Sequence, residues 1–324
     1  MSTKAVISFE VVTPLILLAG ITGNFIVCSL IISNKKLRTS FNYLLLNLAV
    51  SDLCCSVMGT LFFAGQIRNH YLSDDHLTRP TVEGVICKVT TVIIDLTTKN
   101  CALTLAAISV DRFYAIVHPW RHRTSTVKRN IRFLLAAIWI VALIASLPMM
   151  LLMAKTPNTF QGTSMALCLA FLINDNWFKV AAFVDLIAAY IIPMGIILRT
   201  SMAIIRHLWC HSQRQSKETS QMLLKSRKRI TRIVFSVIIA FNVFWLPWAI
   251  LQGSLLIGAI QEISDNTFVV MFILVLASAG VNPILYSLQS RLFRNGVKRM
   301  FRCEWNLKRQ GSKRRNMFSL LVVA

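Results

Sequence analysis

The sequence predicts an all-α membrane protein, a bundle of seven transmembrane helices followed by a short amphipathic helix on the cytoplasmic membrane surface. Three observations lead to this prediction: the composition, the lengths of the apolar segments and the distribution of the basic residues. Of the 324 residues, 55% are hydrophobic and only 15% are charged, whereas about a quarter of the residues in an ordinary soluble domain are charged. We therefore expect most of the apolar surface to face lipid.

Seven long apolar segments are the predicted spans. Each is at least as long as the roughly 20 residues that a helix needs to cross a bilayer core. Because lipid offers no hydrogen-bond partner to a free backbone N–H or C=O, each segment must be helical. The segments are residues 9–32, 42–65, 85–117, 131–154, 178–205, 233–257 and 267–288.

The net charge of +22 raises the question of nucleic-acid binding, which the distribution of the charges excludes. Basic residues are concentrated after spans one, three, five and seven, whereas Asp74, Asp75, Glu83 and Glu262 lie in the alternate loops. By the positive-inside rule, the basic loops and the C-terminus are cytoplasmic and the N-terminus is extracellular. We expect the basic residues to face anionic lipid and an intracellular protein.

This topology divides the chain into four parts: a short extracellular N-terminus (1–8), the seven-span domain (9–289), an amphipathic membrane-surface helix (290–302) and a basic cytoplasmic tail (303–324). The amphipathic helix is predicted because apolar residues such as Phe293 and Val297 alternate with arginine and lysine. Cys303, directly after it, is a candidate for palmitoylation, with an unmodified thiol as the alternative.

Two cysteines are predicted to meet an oxidising compartment. Cys87 opens span three on the outside, and Cys168 lies in the loop between spans four and five. A disulfide between them is chemically reasonable, and it would hold that loop over the bundle.

Ionisable and polar residues inside a membrane are costly and mark function by default. Asn24, Asp52 and Asn282 lie at comparable depth in spans one, two and seven and are expected to form an interior polar cluster. Asp52 is predicted to hold a cation or a proton there; helix-to-helix hydrogen bonding alone is the alternative. Pro193, Pro247 and Pro283 interrupt spans five, six and seven and are candidate hinges.

Motifs that occur in order on the spans give the chain its resemblance to a known family, the rhodopsin-like G-protein-coupled receptors. Cys87 also precedes Arg112 by twenty-five residues, the spacing of that family. The motif residues are Gly23-Asn24 in span one, Asn47 to Asp52 in span two, Asp111-Arg112-Phe113 at the end of span three, Trp139 in span four, Phe241, Trp245 and Pro247 in span six, and Asn282, Pro283 and Tyr286 in span seven.

The resemblance implies a mechanism without enzyme chemistry, and the chain contains no P-loop or catalytic constellation. A ligand in the outer half of the bundle would repack Trp245, and span six would swing outward about Pro247. Arg112 would leave Asp111 and face a heterotrimeric G protein; arrestin and receptor kinases are further implied partners, and the plasma membrane is the implied location. The implied switch residues are Asp111, Arg112, Phe113, Phe241, Trp245, Pro247, Asn282, Pro283 and Tyr286.

The sequence departs from the family pattern at the switch. The acid that holds the span-three arginine in many relatives is replaced by Arg227, which predicts a weaker resting state and measurable basal signalling. The usual span-five tyrosine is replaced by Ser201, which removes a partner of Arg112 in the active state. The sequence does not decide which effect is larger.

A sodium site of the family is only partly kept. Asp52, Ser278 and Asn282 could ligate an allosteric sodium ion, but Cys101 stands where the family has a serine, and a thiol is a poor ligand for a hard cation. A protonated, hydrogen-bonded Asp52 is the alternative. Retinal is excluded because Leu276 occupies the position of the Schiff-base lysine.

The ligand is expected to be cationic. Asp95 and Lys99 are one turn apart on span three, and Asp185 on span five is predicted to lie opposite, so one net negative charge would remain above Trp245. The usual amine-binding aspartate is replaced by Ile94, which favours a basic peptide over a small amine. An internal salt bridge remote from the ligand is the alternative at this site; a non-signalling receptor and a transporter are the alternative functions.

Overall fold

The structure, a computed structural model, describes residues 3–34, 39–71, 80–124, 130–155, 176–211, 218–260, 264–289 and 294–298. These residues are almost entirely helical, which confirms the predicted all-α fold. Spans one to four are the helices Thr3–Ser33, Ser40–Tyr71, Pro80–Val117 and Ile131–Lys155. Span five consists of Asn176–Asp185, the π-helix Leu186–Ile191 and Ile192–His211, span six is Glu218–Leu256 and span seven is Asp265–Gln289. The short helix Pro119–Thr124 follows span three.

The spans form a closed bundle around span three. Neighbours in the chain pack side by side, and span seven returns to contact spans one and two. Span three contacts spans two, four, five and six, so its side chains occupy the centre. By the predicted orientation, we call the half of the bundle that contains Lys99 the outer half and the half that contains Arg112 the inner half.

The surface of the bundle has the character expected of lipid contact. Six described helices are long and apolar enough to span a membrane, and span seven adds a shorter apolar segment, Val269–Leu285. Large apolar side chains such as Leu15, Phe133 and Ile250 point outward and are more than half exposed. Multi-pass membrane insertion accounts for this exposure, because apolar side chains that are unfavourable in water are favourable against acyl chains.

Small residues let neighbouring spans approach closely, as is usual where lipid removes the hydrophobic drive for association. A Cβ atom on Gly23 of span one would lie 2.8 Å from the ring of Pro283 in span seven. A Cβ atom on Gly20 would collide with the hydroxyl oxygen of Ser56 in span two. Span one therefore lies close to Pro283 of span seven through Gly23 and close to span two through Gly20.

Span six begins earlier than its apolar segment predicts, at Glu218 rather than at residue 233. The additional residues are polar and basic, with several good helix formers such as Gln221, Met222 and Leu223. Hydropathy marks only the part of a helix that meets lipid, and therefore the continuation beyond the membrane was not predicted.

The π-helix in span five was not predicted either. The N–H of Ile192 donates to the carbonyl oxygen of Ile187, five residues earlier. Pro193, the next residue, has no N–H with which to continue a regular ladder. One turn of the span is therefore widened, and it begins directly after Asp185.

Beyond span seven, the described residues 294–298 are helical and lie inside the predicted amphipathic segment 290–302. Gly296 packs against Leu30 near the inner end of span one, since a Cβ atom there would lie 2.9 Å from a Leu30 methyl carbon. The rest of the predicted segment and the tail with Cys303 lie outside the described residues.

Candidate functional site

A cavity of about 110 Å³ opens among the outer halves of the spans. Asp95 and Ile94 of span three, Asp185 of span five and Gln252 of span six line it, together with Phe272 of span seven. Its volume is well below the roughly 300 Å³ at which drug-sized ligand sites begin. The cavity can therefore hold one large side chain or a small group, while the remainder of a larger ligand would lie above it.

A buried ion-pair cluster forms one wall of this cavity. Lys99, whose side chain is only 1% exposed, pairs with Asp95 one turn earlier on the same helix. The Lys99 ammonium nitrogen also lies 2.9 Å from a carboxylate oxygen of Asp185, across the gap to span five. Two acids and one lysine leave one net negative charge, and burial makes that charge costly unless further donors approach it.

Gln252, which was not predicted from the sequence, is such a donor. Its side-chain amide donates to the second carboxylate oxygen of Asp185 at 2.6 Å, which ties span six to span five. Both oxygens of Asp185 therefore have partners. An amide in an otherwise apolar helical segment is itself a signal of function, because polar groups inside a membrane are costly, and that signal could have identified Gln252.

Asp95 is less completely satisfied than Asp185. Its first carboxylate oxygen pairs with Lys99, and its second is buried without a hydrogen bond. Ser146 of span four lies near this carboxylate, and its hydroxyl is also buried without a hydrogen-bond partner. The cluster thus extends from span six through spans five and three to span four.

Trp245 forms the boundary between this cavity and a second, much smaller one of about 20 Å³. The indole N–H donates to the hydroxyl of Ser278 in span seven at 3.1 Å. The ring stacks on Phe241, with centroids 5.9 Å apart. A change in the upper cavity that displaces Trp245 would therefore act directly on span seven.

The smaller cavity is built around Asp52. Its two carboxylate oxygens accept hydrogen bonds from the Asn282 amide at 2.8 Å and from the Cys101 thiol at 3.3 Å. Ser278 lines the same cavity. A volume of this size holds about one water molecule or one small ion. Asn24, expected in the same cluster, instead donates to the backbone carbonyls of Gly20 and Ala279, and no direct bond to Asp52 is seen among the described contacts.

A second polar network links spans two, three and four. The amide of Asn47 donates to Asn100 at 2.7 Å and to Thr104 at 2.8 Å, and the indole N–H of Trp139 donates to Asn47 at 2.9 Å. The hydroxyl of Ser51 donates to Asn100 at 2.9 Å. Asn100 was not singled out from the sequence, although a buried asparagine beside Lys99 is a comparable signal.

At the inner end of span three, Arg112 pairs with the adjacent Asp111. The guanidinium carbon also lies 4.2 Å from the ring centroid of Phe41 in span two. The other carboxylate oxygen of Asp111 lies 3.0 Å from the Nε2 atom of His122, which belongs to the short helix Pro119–Thr124. His122 was not predicted from the sequence, because its proximity to Asp111 depends on how that helix folds back.

The remaining predicted residues differ in how much of them the structure describes. Phe113 makes edge contacts with the rings of Tyr114 and His118. Ser201 is buried near the inner end of span five. Cys87 is buried and disulfide-bonded, whereas Cys168 lies outside the described residues. The side chains of Tyr286 and Arg227 also lie outside the described part, so their predicted roles are untested.

Comparison with known proteins gives the same classification as the site. A family model described as the 7 transmembrane receptor (rhodopsin family) matches residues 23–286. The Allatostatin-A receptor of Bombyx mori is 27% identical over 292 residues, which cover 88% of this chain and 77% of that receptor. The Galanin receptor 2a of Danio rerio is 29% identical over 301 residues, which cover 91% of this chain and 78% of that receptor. For the Tachykinin-like peptides receptor 86C of Drosophila melanogaster, identity is 25% over 307 residues, covering 91% of this chain and 58% of the relative.

The matched region runs from Gly23 in span one to Tyr286 in span seven, and so it contains the outer cavity, the Asp52 cavity and the Asp111–Arg112 pair. The chain belongs to the rhodopsin family of seven-transmembrane, G-protein-coupled receptors.

Proposed function

We propose that this receptor binds a basic extracellular peptide and that one cationic side chain of the peptide enters the cavity beside Asp95 and Asp185. The observation that carries the proposal is the buried Asp95–Lys99–Asp185 cluster. Its two acids line the cavity directly above Trp245, and two acids with one lysine have one net negative formal charge. A cation would offset that charge, and its attraction would be strong because water is largely excluded.

Three further observations favour a peptide over a small amine. The cavity of about 110 Å³ is too small for most of a whole ligand, so most binding surface must lie nearer the outer loops. The similar receptors are named for allatostatin-A, galanin and tachykinin-like peptides. In addition, Ile94 lines the cavity at the position where amine receptors place their aspartate.

A screen of basic peptides against cells expressing the receptor tests this proposal, with small amines as the parallel set. We expect an active peptide to lose potency by about tenfold or more in the Asp185→Asn variant, since a buried charge contact is typically worth 1.5–3 kcal/mol. Glu10→Gln, an acid on span one away from the cavity, is the control. Unchanged potency in a normally expressed Asp185→Asn receptor would assign the cluster to an internal salt bridge, and activation by amines alone would favour the small-amine alternative.

The proposed signal runs from the cavity to the inner half. Ligand contact with Asp185 competes with Gln252 and loosens span six, and Trp245 then moves against Ser278 and Phe241. Pro247, five residues before Gln252 in the same helix, is the hinge. In the inner half, Arg112 leaves Asp111 and engages the G protein, as Tyr286 and Pro283 of span seven adjust. A ligand can drive this change only by binding the active arrangement more tightly than the resting one.

A receptor that binds without signalling is the second candidate, favoured by Ser201 and Arg227. Basal G-protein activation in wild type that disappears in Arg112→Ala would exclude it and would support the weak resting state predicted from Arg227. An enzyme role is not proposed, since the family acts through its partners. Arrestin and receptor kinases are proposed as later partners on the same basic inner surface.

The plasma membrane, with the N-terminus outside and the C-terminus inside, is the proposed location. The distribution of basic residues supports this orientation. Epitope tags at the two ends test it: antibody should label an N-terminal tag on intact cells and a C-terminal tag only after permeabilisation. The reverse labelling pattern would overturn the proposed orientation.

We further propose that Asp52, Ser278 and Asn282 hold an allosteric sodium ion in the smaller cavity. The room of about 20 Å³ and the carboxylate oxygens fit one small cation, whereas the Cys101 thiol contributes little. Sodium chloride should raise the melting temperature of the purified wild type more than potassium chloride does, and Asp52→Asn should remove the difference. An equal response to both salts in wild type would favour a protonated Asp52.

A further inference from the structure

Span five is linked to span six a second time, nearer the inner half than the contact between Asp185 and Gln252. The hydroxyl of Tyr190, in the π-helix of span five, donates to the side-chain oxygen of Asn242 in span six at 3.2 Å. The amide nitrogen of Asn242 donates to the backbone carbonyl oxygen of Ile238, one turn earlier in its own helix, at 2.8 Å. This second bond fixes the side-chain amide, so that its oxygen is presented to the tyrosine.

The two links lie on opposite sides of Pro247 in span six. Gln252 follows the proline in the sequence, and Asn242 precedes it. Because Pro247 has no N–H to donate to the carbonyl oxygen of Val243, the helix lacks one of its own hydrogen bonds between these positions. The Gln252 link therefore holds the outer part of span six, and the Asn242 link holds the inner part, residues 218–246.

The widened turn of span five directs both of its polar residues toward this interface. Asp185 directly precedes the π-helix Leu186–Ile191, and Tyr190 lies within it. Residues five apart in a regular α-helix differ in direction by about 140°. In a π-helix the hydrogen bonds join residues five apart, which therefore lie nearly one above the other. The π-helix contacts both span three and span six, so one irregular turn serves the ligand cavity and the inner part of span six.

The surroundings of this link are apolar and belong to the switch region. Tyr190 packs against the buried core cluster that contains Phe241 and Trp245. Asn242 directly follows Phe241 and lies three residues before Trp245 in span six. Inside a membrane bundle, water and lipid offer few other partners to a hydroxyl or an amide oxygen. The hydrogen bond therefore favours the arrangement of the helices in which it is made.

We propose that Tyr190 and Asn242 are positioning residues that hold the inner part of span six against span five in the resting receptor, and that activation breaks their hydrogen bond. The inference rests on the proposed outward movement of span six and is independent of the identity of the ligand. Ligand contact at Asp185 acts on the Gln252 link directly, whereas the Tyr190 link must open when the inner part of the helix moves.

Removal of the tyrosine hydroxyl alone tests the pair. In cells with matched surface expression, Tyr190→Phe should raise basal G-protein activation by about threefold, the shift in equilibrium that a typical hydrogen bond between membrane helices supports. Asn242→Ala should do the same, and Tyr190→Phe in the Asn242→Ala background should add nothing further, because the partner is already gone. Thr200→Val is the matched control, since the hydrogen bond between the hydroxyls of Thr200 and Ser109 joins span five to span three and does not reach span six.

The position of span six is measured separately from signalling, on the purified full-length receptor. Spin labels at Thr39→Cys and Gln221→Cys report the distance between the inner ends of spans two and six. Cys210 and Cys303 are replaced by serine so that they do not take up label. We expect Tyr190→Phe to increase the population at the longer distance and the control variant to leave it unchanged.

The two measurements separate this inference from the proposed function. A shift to the longer distance in a receptor that activates no G protein would support the restraint by Tyr190 and Asn242 and would overturn the proposed signalling. Additive effects of Tyr190→Phe and Asn242→Ala on basal activation, or an unchanged distance distribution in Tyr190→Phe, would overturn the restraint itself.

Discussion

The two charged regions of this receptor, one in each half of the bundle, are built in opposite ways. The outer cluster joins separate helices: Lys99 of span three, Asp185 of span five and Gln252 of span six are linked side chain to side chain. The inner pair joins neighbours in the chain, since Asp111 and Arg112 are adjacent. Among the described contacts, the inner pair reaches only Phe41 and His122 and does not reach span six.

This difference indicates which of the two regions restrains the movement of span six. A cross-helix cluster resists any movement of span six relative to spans three and five, whereas an intrahelical pair can open without a helix moving. Burial differs in the same direction: Lys99 is 1% exposed, and the Arg112 and Asp111 side chains are 12% and 16% exposed. We therefore expect the outer cluster to govern stability and the restraint on span six, and the inner pair to govern output.

The largest effect is expected from removing the output group. Arg112→Ala should abolish G-protein activation, basal and stimulated, because the group that we propose engages the G protein is gone. Surface expression should remain near wild type, since Asp111 keeps His122 as a partner close to solvent. Cell-surface labelling and a G-protein activation assay on the same cells measure both. Loss of expression would show that the inner pair carries stability after all.

The next effect is structural. Lys99→Met should destabilise the receptor by about 3–5 kcal/mol, because removing one partner leaves two buried carboxylates without their cation. The purified protein should melt earlier and reach the surface poorly. The triple variant Lys99→Met with Asp95→Asn and Asp185→Asn should recover much of the loss, since no uncompensated charge remains. A single variant as stable as wild type would contradict the idea that the cluster holds the outer half together.

A smaller effect, on both properties, is expected from Gln252. Gln252→Leu should cost about 1.5–3 kcal/mol in stability, the usual value for a hydrogen bond to a charged group. It should also raise basal G-protein activation, because span six loses its link to Asp185. Gln261→Leu, at a position beyond the described end of span six, controls for the substitution type. Lower stability with unchanged basal activity would separate the cluster from the restraint on span six.

The smallest effect is expected from the contact between Arg112 of the inner pair and the ring of Phe41 in span two. Phe41→Leu should change stability and basal activity only slightly, by about 0.5–1 kcal/mol, the range for a cation–π contact at a partly exposed site. The melting temperature and basal activation, each compared with Phe133→Leu on the lipid-facing side of span four, measure this. An effect as large as that of Gln252→Leu would remove the contrast between the two regions.

Much of the fold could be predicted because lipid imposes it. Seven apolar segments of sufficient length must be helices, and their order fixes which neighbours pack together. The proximity of Lys99 to Asp185 could also be anticipated, because one lysine in span three demands an acid nearby. Its role in ligand binding remains a prediction.

The parts that could not be predicted depend on side-chain direction and on backbone irregularity. Gln252 and Asn100 stand out in the sequence as amides in apolar segments, but only the packing of the helices shows which partners they reach. His122 depends on the fold of a short loop helix. The start of span six at Glu218 carries no hydropathy signal, since it lies beyond the predicted membrane segment.

The widened turn at Leu186–Ile191 sets the angular phase of span five. An extra residue in one turn rotates everything before it by about 100° relative to an uninterrupted helix. The direction in which Asp185 faces Lys99 is therefore set separately from the direction of Thr200, further along the same span. The hydroxyl oxygen of Thr200 lies 2.6 Å from that of Ser109. Deleting one residue within the turn would swing Asp185 off Lys99 and leave the Thr200 contact in place. Span five thus consists of two α-helical parts whose relative rotation is fixed by the π-helix between them. The side chains of the outer part and those of the inner part can therefore change direction independently.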